Sequence, residues 1–589
     1  MKISGPMRLS SHVSIWQATA CAAGVLWMAP ARAQELTFGR DIAPIIYANC
    51  AACHRAGEAG PFPLLSYQDV KKHARDIVKV TRSRYMPPWL PAHGYGDFEG
   101  ERRLSDEQIR AIATWVSQGA PEGAGETPAP PVFTDGWRLG PPDLVLQAQA
   151  AFPVPASGPD LYWNFVFHPA VSATRYVRAV EIRPGNRNLV HHANLLVDRM
   201  GSLEARGGGF PGMDLTLFRS PFAPDGNFLF WKPGSAPHVE PDGFAWRLDP
   251  GNQLVLNTHV HPSGKAEELR PSIGLYFTDQ PQTNFPLLVQ LENDQALDIP
   301  AGAAHFTVSE QFRLPMDAEV LAIYPHAHYL GKRLEAYATL PGGGRTWLIL
   351  IPDWDPNWQA VYYYRQAVLL PKNTVISMRY QYDNSSANVR NPNQPPKRVR
   401  AGDQSTDEMA HLWLELLPRG AGDRRRELEE ALMRHRLERD PADFEANFNL
   451  GVVMLSRLNA AGAVTALRTA VRVRPDRADA HNMLGLALAG TGRSAEALEQ
   501  YQRALEINPG YSGARLNRAN ALVKSGKLEE AIRDYRAVME AAPGDPQPKR
   551  ALARALLLRA QQLSAEGKAE DAKRLLDEAQ VLDPPGQAR

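Results

Sequence analysis

The stretch Leu-Val-Leu-Asn-Thr-His-Val-His, residues 254–261, is a short apolar run that closes on two alternating histidines. Similar runs recur between residues 133 and 418, broken by Pro, Gly, Asn and Asp, as in VLAIYPHAHYL (320–330), TVISMRYQYD (374–383) and HLWLELL (411–417). Regular turn signals between such runs predict antiparallel β-strands. We therefore predict two tandem antiparallel β-sandwich domains, 133–300 and 301–418, with the boundary near Pro300-Ala301-Gly302.

The histidines of this region fall into three clusters, which are His191-His192, His259-Val260-His261 and His326-Ala327-His328. In a strand, residues i and i+2 face the same side, so each H-x-H motif predicts two side chains that can hold one metal ion. The adjacent pair faces opposite sides of a regular strand, so joint ligation there requires a bulge or a bend. The alternative for any single motif is a pair of surface histidines.

These segments, with one further motif, resemble the type II, ascorbate-dependent copper monooxygenases, the family of the peptidylglycine α-hydroxylating and dopamine β-monooxygenases. The resemblance covers roughly residues 150–418 and depends on four motifs in this order: VHHANLL (190–196), LVLNTH (254–259), PHAHYLGK (325–332) and STDEM (405–409). The family's fold, two tandem β-sandwich domains of jelly-roll-like type, agrees with the strand pattern.

The resemblance implies two copper sites. The first, which stores an electron, would be held by His191, His192 and His259, and the second, the catalytic site where oxygen binds, by His326, His328 and Met409. A soft thioether favours Cu(I), and two imidazoles with one thioether leave a position open for O2. The alternative for Met409 is a core methionine on a strand. We interpret His261, on the same face as His259, as an outer partner of the site or as a spare histidine.

The substrate pocket departs from the peptide-amidating branch of the family. That branch clamps the substrate carboxylate with an Arg before the H-x-H motif and with an Asn and a Tyr after the Met. The corresponding residues here are Tyr324, His411 and Trp413. Without the Arg, bidentate capture of a carboxylate is lost, so a peptide ending in glycine is not the expected substrate. We expect a more aromatic pocket, with His411 contacting substrate or copper. The family's disulfides are absent as well.

The motif Cys50-Ala51-Ala52-Cys53-His54 is C-x-x-C-H. This spacing lets two thiols form thioethers with the vinyl groups of one haem while the adjacent imidazole binds the iron, so it predicts a covalent haem c. The alternatives are a redox-active disulfide and half of a zinc site. Neither requires His54, and the chain has no second cysteine pair.

Residues 34–120 resemble a small class I cytochrome c domain. They are expected to be mostly helical, and Ser105 and Gln108 form an S-x-x-Q capping box before an apolar helix face that ends at Gly119. In that family the sixth iron ligand is usually a methionine ahead of the last helix, and Met86 has this position. His73 and His93 are the alternative ligands. Residues 121–132 (PEGAGETPAPPV) are a linker.

The first 33 residues have the pattern of a cleaved secretory signal, with Lys2 and Arg8 before an apolar run at 20–28 and an A-x-A site at Ala31-Arg32-Ala33. An uncleaved anchor is one alternative, but the run is shorter than the ~20 residues that span a bilayer. A lipoprotein at Cys21 is the other. No later stretch is long enough to span a membrane, so we predict an exported, periplasmic protein.

Length and composition set further limits. The chain has 589 residues, too many for one core, and its 44% hydrophobic and 22% charged residues are typical of folded globular domains. Lys and Arg total 65 against 64 Asp and Glu, giving a formal net charge of +1. A nucleic-acid-binding protein normally has a basic excess, so that class is not expected.

The C-terminal part repeats with a period of 34 residues. The residues that recur at this spacing are Pro441, Pro475, Pro509 and Pro543, then Ala463, Ala497 and Ala531, and two Leu-Gly pairs at 450–451 and 484–485. Residues 441–589 therefore resemble tetratricopeptide repeats, an α-solenoid of about four helix pairs with an irregular last pair as a cap. The alternative, generic Ala/Leu-rich helices, does not explain the register of the prolines. Residues 419–440 are expected to form a linker helix.

Together these features predict a multidomain copper monooxygenase that hydroxylates an unidentified organic substrate with O2. A periplasmic donor would supply electrons through the fused haem, in place of ascorbate. The repeats would dock a protein partner, the alternative being that they only stabilise or dimerise the enzyme. Two other functions stay open: a non-catalytic copper-binding and electron-transfer protein, and a periplasmic scaffold built on the repeats.

Overall fold

A computed structural model describes residues 35–583, apart from residues 59, 126, 134–135, 200–208, 212–225 and 542–545. The predicted signal sequence, residues 1–33, lies outside the described residues. Among the helices of the described ranges, none combines the length and the apolar character needed to cross a membrane.

The N-terminal region is helical. It consists of one π-helical turn, Phe38–Ile42, and the helices α1 (Ala43–Asn49), α2 (Tyr67–Lys72), α3 (Ala74–Arg82) and α4 (Asp106–Ser117). Helix α4 begins at the predicted capping box, because the Ser105 hydroxyl accepts from the Gln108 backbone at 3.2 Å and the Gln108 side chain accepts from the Ser105 backbone at 2.9 Å. The helices enclose an apolar core that includes Phe38, Ile46 and Trp115.

The described part of the first β region contains eleven strands. They are β1 (Leu144–Gln147), β2 (Phe152–Val154), β3 (Leu161–Phe167), β4 (Arg175–Arg183), β5 (Val190–Asp198), β6 (Gly209–Pro211), β7 (Phe230–Trp231), β8 (Trp246–Leu248), β9 (Gln253–Val260), β10 (Glu267–Leu269) and β11 (Ser272–Thr278). They form antiparallel sheets in the orders β1-β11-β4-β8, β6-β3-β9-β5-β7 and β10-β2. The two larger sheets contribute to one apolar core, with Phe165 and Leu256 from one sheet and Val177 and Ile273 from the other.

The second β region contains ten strands. They are β12 (Leu287–Glu292), β13 (Asp298–Ile299), β14 (Phe306–Arg313), β15 (Ala318–His326), β16 (Gly331–Thr339), β17 (Arg345–Ile351), β18 (Tyr362–Leu370), β19 (Val375–Tyr382), β20 (Val399–Arg400) and β21 (His411–Pro418). The sheet orders are β12-β21-β15-β18, β14-β19-β16-β17 and β13-β20, again antiparallel. Strands β12 and β13 pair with β21 and β20, so they belong to the second β region. The boundary between the two β regions therefore lies between Thr278 and Leu287, ahead of the boundary expected at 300–302.

The C-terminal region is entirely helical in its described part. The helices are α5 (Arg425–Arg439), α6 (Phe444–Ser456), α7 (Ala460–Val473), α8 (Ala478–Gly490), α9 (Ser494–Ile507), α10 (Ser512–Lys524), α11 (Leu528–Ala541), α12 (Pro546–Ala565) and α13 (Ala569–Leu582). Helices α6, α8, α10 and α12 begin 34 residues apart, each as the first of a pair. The glycine that recurs in the repeats is required by packing, because a Cβ on Gly485 would lie 2.6 Å from the Tyr501 ring.

Helix α5, expected as a linker, packs against the second β region. Leu428, Leu432 and Met433 belong to the same apolar core as the strands of that region. Arg436 forms an ion pair with Glu292 on β12 at 3.1 Å. The helical repeats therefore begin from a helix that is anchored on the β-sheet.

Candidate functional site

A cavity of about 790 Å³ lies where the N-terminal helices meet both β regions. One wall contains Cys50, Cys53 and His54, and another is formed by residues 228–238, from β7 and the segments on either side of it. The second β region adds Trp358 and Tyr362. This volume falls within the roughly 300–1,000 Å³ typical of ligand and cofactor pockets.

The C-x-x-C-H residues share one turn at the end of α1. The backbone N–H groups of Cys53 and His54 both donate to the Cys50 carbonyl, at 3.2 and 3.0 Å, and this brings the three side chains to one wall. Cys50 and Cys53 are not joined in a disulfide. Burial, with the nearby Cys53, raises the pKa of the Cys50 thiol to about 12, which is the opposite of what a reactive redox thiolate needs.

The His54 ring is oriented for metal binding. Its Nδ1 lies 3.1 Å from the Phe62 carbonyl, which can only accept, so Nδ1 carries the proton and Nε2 keeps its lone pair. Burial lowers the pKa of His54, which keeps the imidazole neutral. The motif and the cavity beside it therefore fit a covalently attached haem with His54 as an iron ligand.

The three candidates for the sixth iron ligand occupy different places. Met86 lines the cavity. The His73 ring stacks on Phe62 at 3.7 Å between centroids, and His93 is exposed. This arrangement favours Met86.

The first histidine cluster forms where β5 pairs with β9. His192 lies opposite His259, and the register shifts between Val190 and His192, which is the irregularity that ligation by two adjacent histidines requires. One nitrogen from each of His191, His192 and His259 lies within 4.8 Å of the others. Burial lowers the pKa of His191 to about 3 and that of His192 well below its usual range, so both rings are neutral.

Asp160 orients this cluster, and the sequence did not reveal it. Its carboxylate lies 3.0 Å from His259 Nε2 and 2.5 Å from His261 Nδ1. The other nitrogen of His259, Nδ1, is buried with no hydrogen-bond partner in the described structure, as a metal-binding nitrogen would be. Burial raises the pKa of Asp160, but the two histidines outweigh it and lower that pKa to about 2. His261 thus contacts the carboxylate that holds His259.

The second cluster forms at the end of β15. His326 lies directly opposite His411 on β21, and its ring is 5.3 Å from the His328 ring. His326 Nδ1 lies 2.8 Å from the Gln359 side-chain oxygen, and His328 Nδ1 lies 3.0 Å from the Asp407 carbonyl. Both rings therefore keep Nε2 for a metal ion.

Glu408 joins this cluster to Met409. Its buried carboxylate accepts hydrogen bonds from the backbone N–H groups of His328 at 2.8 Å, Leu330 at 2.6 Å and Met409 at 3.1 Å. Met409 is only 6% exposed. One carboxylate thus fixes the backbone beside two of the three residues that the family resemblance implies for the second site.

The three predicted pocket residues lie together. Tyr324 and Trp413 stack at 5.1 Å between centroids and belong to an apolar cluster with Phe228. His411 Nε2 lies 2.8 Å from the Asp294 carboxylate, which fixes the orientation of the ring. These three side chains are buried and adjoin the second histidine cluster. That they line a substrate pocket stays a prediction.

Two buried carboxyl groups lie near the cavity. The Glu240 side chain is 8% exposed and lies 3.8 Å from His238 Nε2, and Glu415 on β21 is 3% exposed. Burial raises the pKa of Glu240 to about 7. Burial and the nearby Glu240 charge raise the pKa of Glu415 well above its usual range.

This pair predicts a loss of stability at high pH. Both groups have a higher pKa folded than unfolded, so the folded state keeps protons that the unfolded chain releases, and stability falls as pH rises above about 4.5. Glu415→Gln should regain at least about 1 kcal/mol near pH 8 and gain little near pH 5, measured by urea denaturation. The exposed Glu268→Gln is the control, and equal gains at both pH values would contradict the prediction.

Family models of the tetratricopeptide repeat match residues 455–512 and 488–555. The prediction that the C-terminal region carries tetratricopeptide repeats is confirmed. Two similar solved structures are MamA, with 19% identity, 27% of this chain and 89% of that chain covered and a TM-score of 0.24, and YrrB, with 25% identity, 27% and 79% covered and a TM-score of 0.24. YrrB is described as a TPR protein with an unusual peptide-binding site. No curated protein matches the chain.

Proposed function

We propose that this chain is a periplasmic copper-dependent monooxygenase that hydroxylates an organic substrate with O2 and receives electrons through its own c-type haem. One observation carries the proposal. Two largely buried histidine clusters lie in adjoining β regions. Neighbouring oxygens hold one ring nitrogen of His259, His326 and His328 and leave the other for a metal ion. A structural metal site would not require two clusters of different composition, one of them beside the buried aromatic pair Tyr324 and Trp413.

The first site would use His191, His192 and His259. Their neutral imidazoles are the form that binds copper, and Asp160 fixes the tautomer of His259. Three imidazoles bind both oxidation states of copper, which suits a site that accepts and passes on one electron.

The second site would use His326, His328 and Met409. When bound, the two copper ions would supply the two electrons that, with two protons, convert one O2 and one C–H bond into an alcohol and water. The Met409 thioether favours the reduced ion, while Gln359 and the Asp407 carbonyl orient the two imidazoles. The neighbouring Tyr324 and Trp413 favour an aromatic or apolar substrate.

The haem would be attached through Cys50 and Cys53 and its iron held by His54 and Met86. A donor in the periplasm would reduce it one electron at a time. This arrangement would replace ascorbate as the reductant of the first copper site.

The repeats suggest a protein partner. We propose that this partner is either the electron donor or a protein that carries the substrate. The repeats are positioned relative to the β regions by α5, whose side chains enter the core of the second one.

Metal analysis of the protein matured in a periplasm tests the proposal. We expect one iron and two copper ions per chain, and in the Cys50→Ala/Cys53→Ala variant a loss of the iron with both copper ions retained. One iron with no copper or one copper, after copper has been supplied, would contradict the monooxygenase and favour a carrier or a scaffold.

A further inference from the structure

The turn at residues 232–235 places protein backbone against the C-x-x-C-H motif. The Ser235 backbone and hydroxyl both donate to the Lys232 carbonyl, at 3.1 and 2.7 Å. Gly234 has φ +80°, and a Cβ there would lie 2.6 Å from Cys53 Sγ. Only glycine combines this backbone conformation with so close an approach.

The other end of the same segment contacts the first histidine cluster. Strand β7 pairs with β5, with Trp231 opposite Ala193 and Phe230 opposite Asn194. The Phe230 ring stacks on the His192 ring, 5.8 Å between centroids and 28° between planes. Phe230 also lines the cavity beside Cys53, so one side chain borders both candidate cofactor sites.

We propose that residues 230–234 are the path along which an electron passes from the haem to the copper held by His191, His192 and His259, with Phe230 as its final contact. The inference rests on the proposed function. The step oxidises ferrous haem to ferric and reduces Cu(II) to Cu(I), and it forms no bond and moves no proton.

The segment is held from three sides, which suits a path that depends on fixed distances. Arg102 donates to the Gly234 carbonyl at 3.2 Å and Arg138 donates to the Ser235 carbonyl at 2.8 Å. Lys232 Nζ donates to the Trp358 carbonyl in the second β region at 3.4 Å. Between Gly234 and Phe230 the path runs through covalent bonds, so the only gaps are the contacts at its two ends.

Phe230 also leads towards the second cluster. Its ring lies 5.3 Å from the Tyr324 ring, which lies 6.0 Å from the His326 ring. The path therefore branches at Phe230, in agreement with a reaction that uses one electron from each copper.

The test is the rate of internal electron transfer in the full-length protein loaded with haem and copper. The haem is reduced by a light flash under anaerobic conditions, its reoxidation is followed by absorbance, and loss of the Cu(II) EPR signal is followed by freeze-quenching. We expect Phe230→Leu to slow both signals by an order of magnitude, because a missing ring opens a gap across which tunnelling decays exponentially. Phe230→Tyr should restore the rate, and metal content and haem potential should stay unchanged.

Phe152→Leu is the matched control, since Phe152 is also half-buried and stacks on an aromatic ring, Trp163, at 4.4 Å. It should leave the rate unchanged. A rate in Phe230→Leu equal to that of the wild type, with both metals present, would overturn the path and leave the proposed function standing. A wild-type protein that lacks either metal would overturn both.

Discussion

Replacing Met409 by leucine should reduce the copper content from two ions per chain to one. Leucine keeps the volume and the apolar character of the methionine, so the buried packing is preserved while the thioether is lost. Mutation of a residue that hydrogen-bonds to a metal ligand typically lowers metal affinity or activity by about 10–100-fold. Loss of a ligand itself should lower copper affinity by at least the upper end of that range. Hydroxylation should fall accordingly, while the first site keeps its copper.

The measurement is copper per chain together with the Cu(II) EPR spectrum, which should lose one of two components. Met378→Leu is the matched control, because Met378 is a fully buried methionine on β19 in the core of the same β region. If the two variants bind equal amounts of copper, Met409 is a core methionine and the ligand assignment is wrong.

Glu408→Ala should cost more stability than any other single change proposed for this chain. The substitution leaves three backbone N–H groups, those of His328, Leu330 and Met409, without their acceptor in a buried site. Each unsatisfied buried donor costs about 1–3 kcal/mol, so we expect a loss of about 3 kcal/mol or more in the free energy of unfolding. The second copper should be lost with it.

Urea denaturation of the metal-free protein measures this loss separately from metal binding. Glu335→Ala is the control, since Glu335 is also buried but accepts from Arg333 and Arg379, whose side chains are 39% and 50% exposed. Those cations can turn to water, so the control should lose less than about 1 kcal/mol. An equal loss in both variants would show that Glu408 has no special role in holding the two segments together.

Features set by local or periodic sequence were predictable. The capping box of α4 needs only Ser105 and Gln108, three residues apart. The repeats follow from a 34-residue period, because each helix pair packs mainly on its neighbours. The alternation of apolar and turn residues was sufficient to predict antiparallel strands between 133 and 418.

Features that depend on distant contacts were not predictable. Asp160 lies 99 residues from His259, and Gln359 lies 33 residues from His326, with no motif linking either pair. The boundary between the two β regions also lies earlier than the predicted Pro300-Ala301-Gly302. A turn signal marks a loop, but it does not reveal that β12 and β13 pair with β21 and β20. The cavity beside Cys53 combines three parts of the chain, so no single part of the sequence reveals it.

The anchoring of α5 has a consequence for how a partner would be presented. A repeat array on a flexible tether holds its partner at a concentration set by the length of the tether. Here Leu428 and Met433 are packed into the core of the second β region, so no tether separates the first repeat from β21, the strand that carries Trp413. A bound partner would therefore face the two β regions at one fixed angle, and its geometry, rather than its local concentration, would decide whether the exchange of electrons or substrate that we propose takes place.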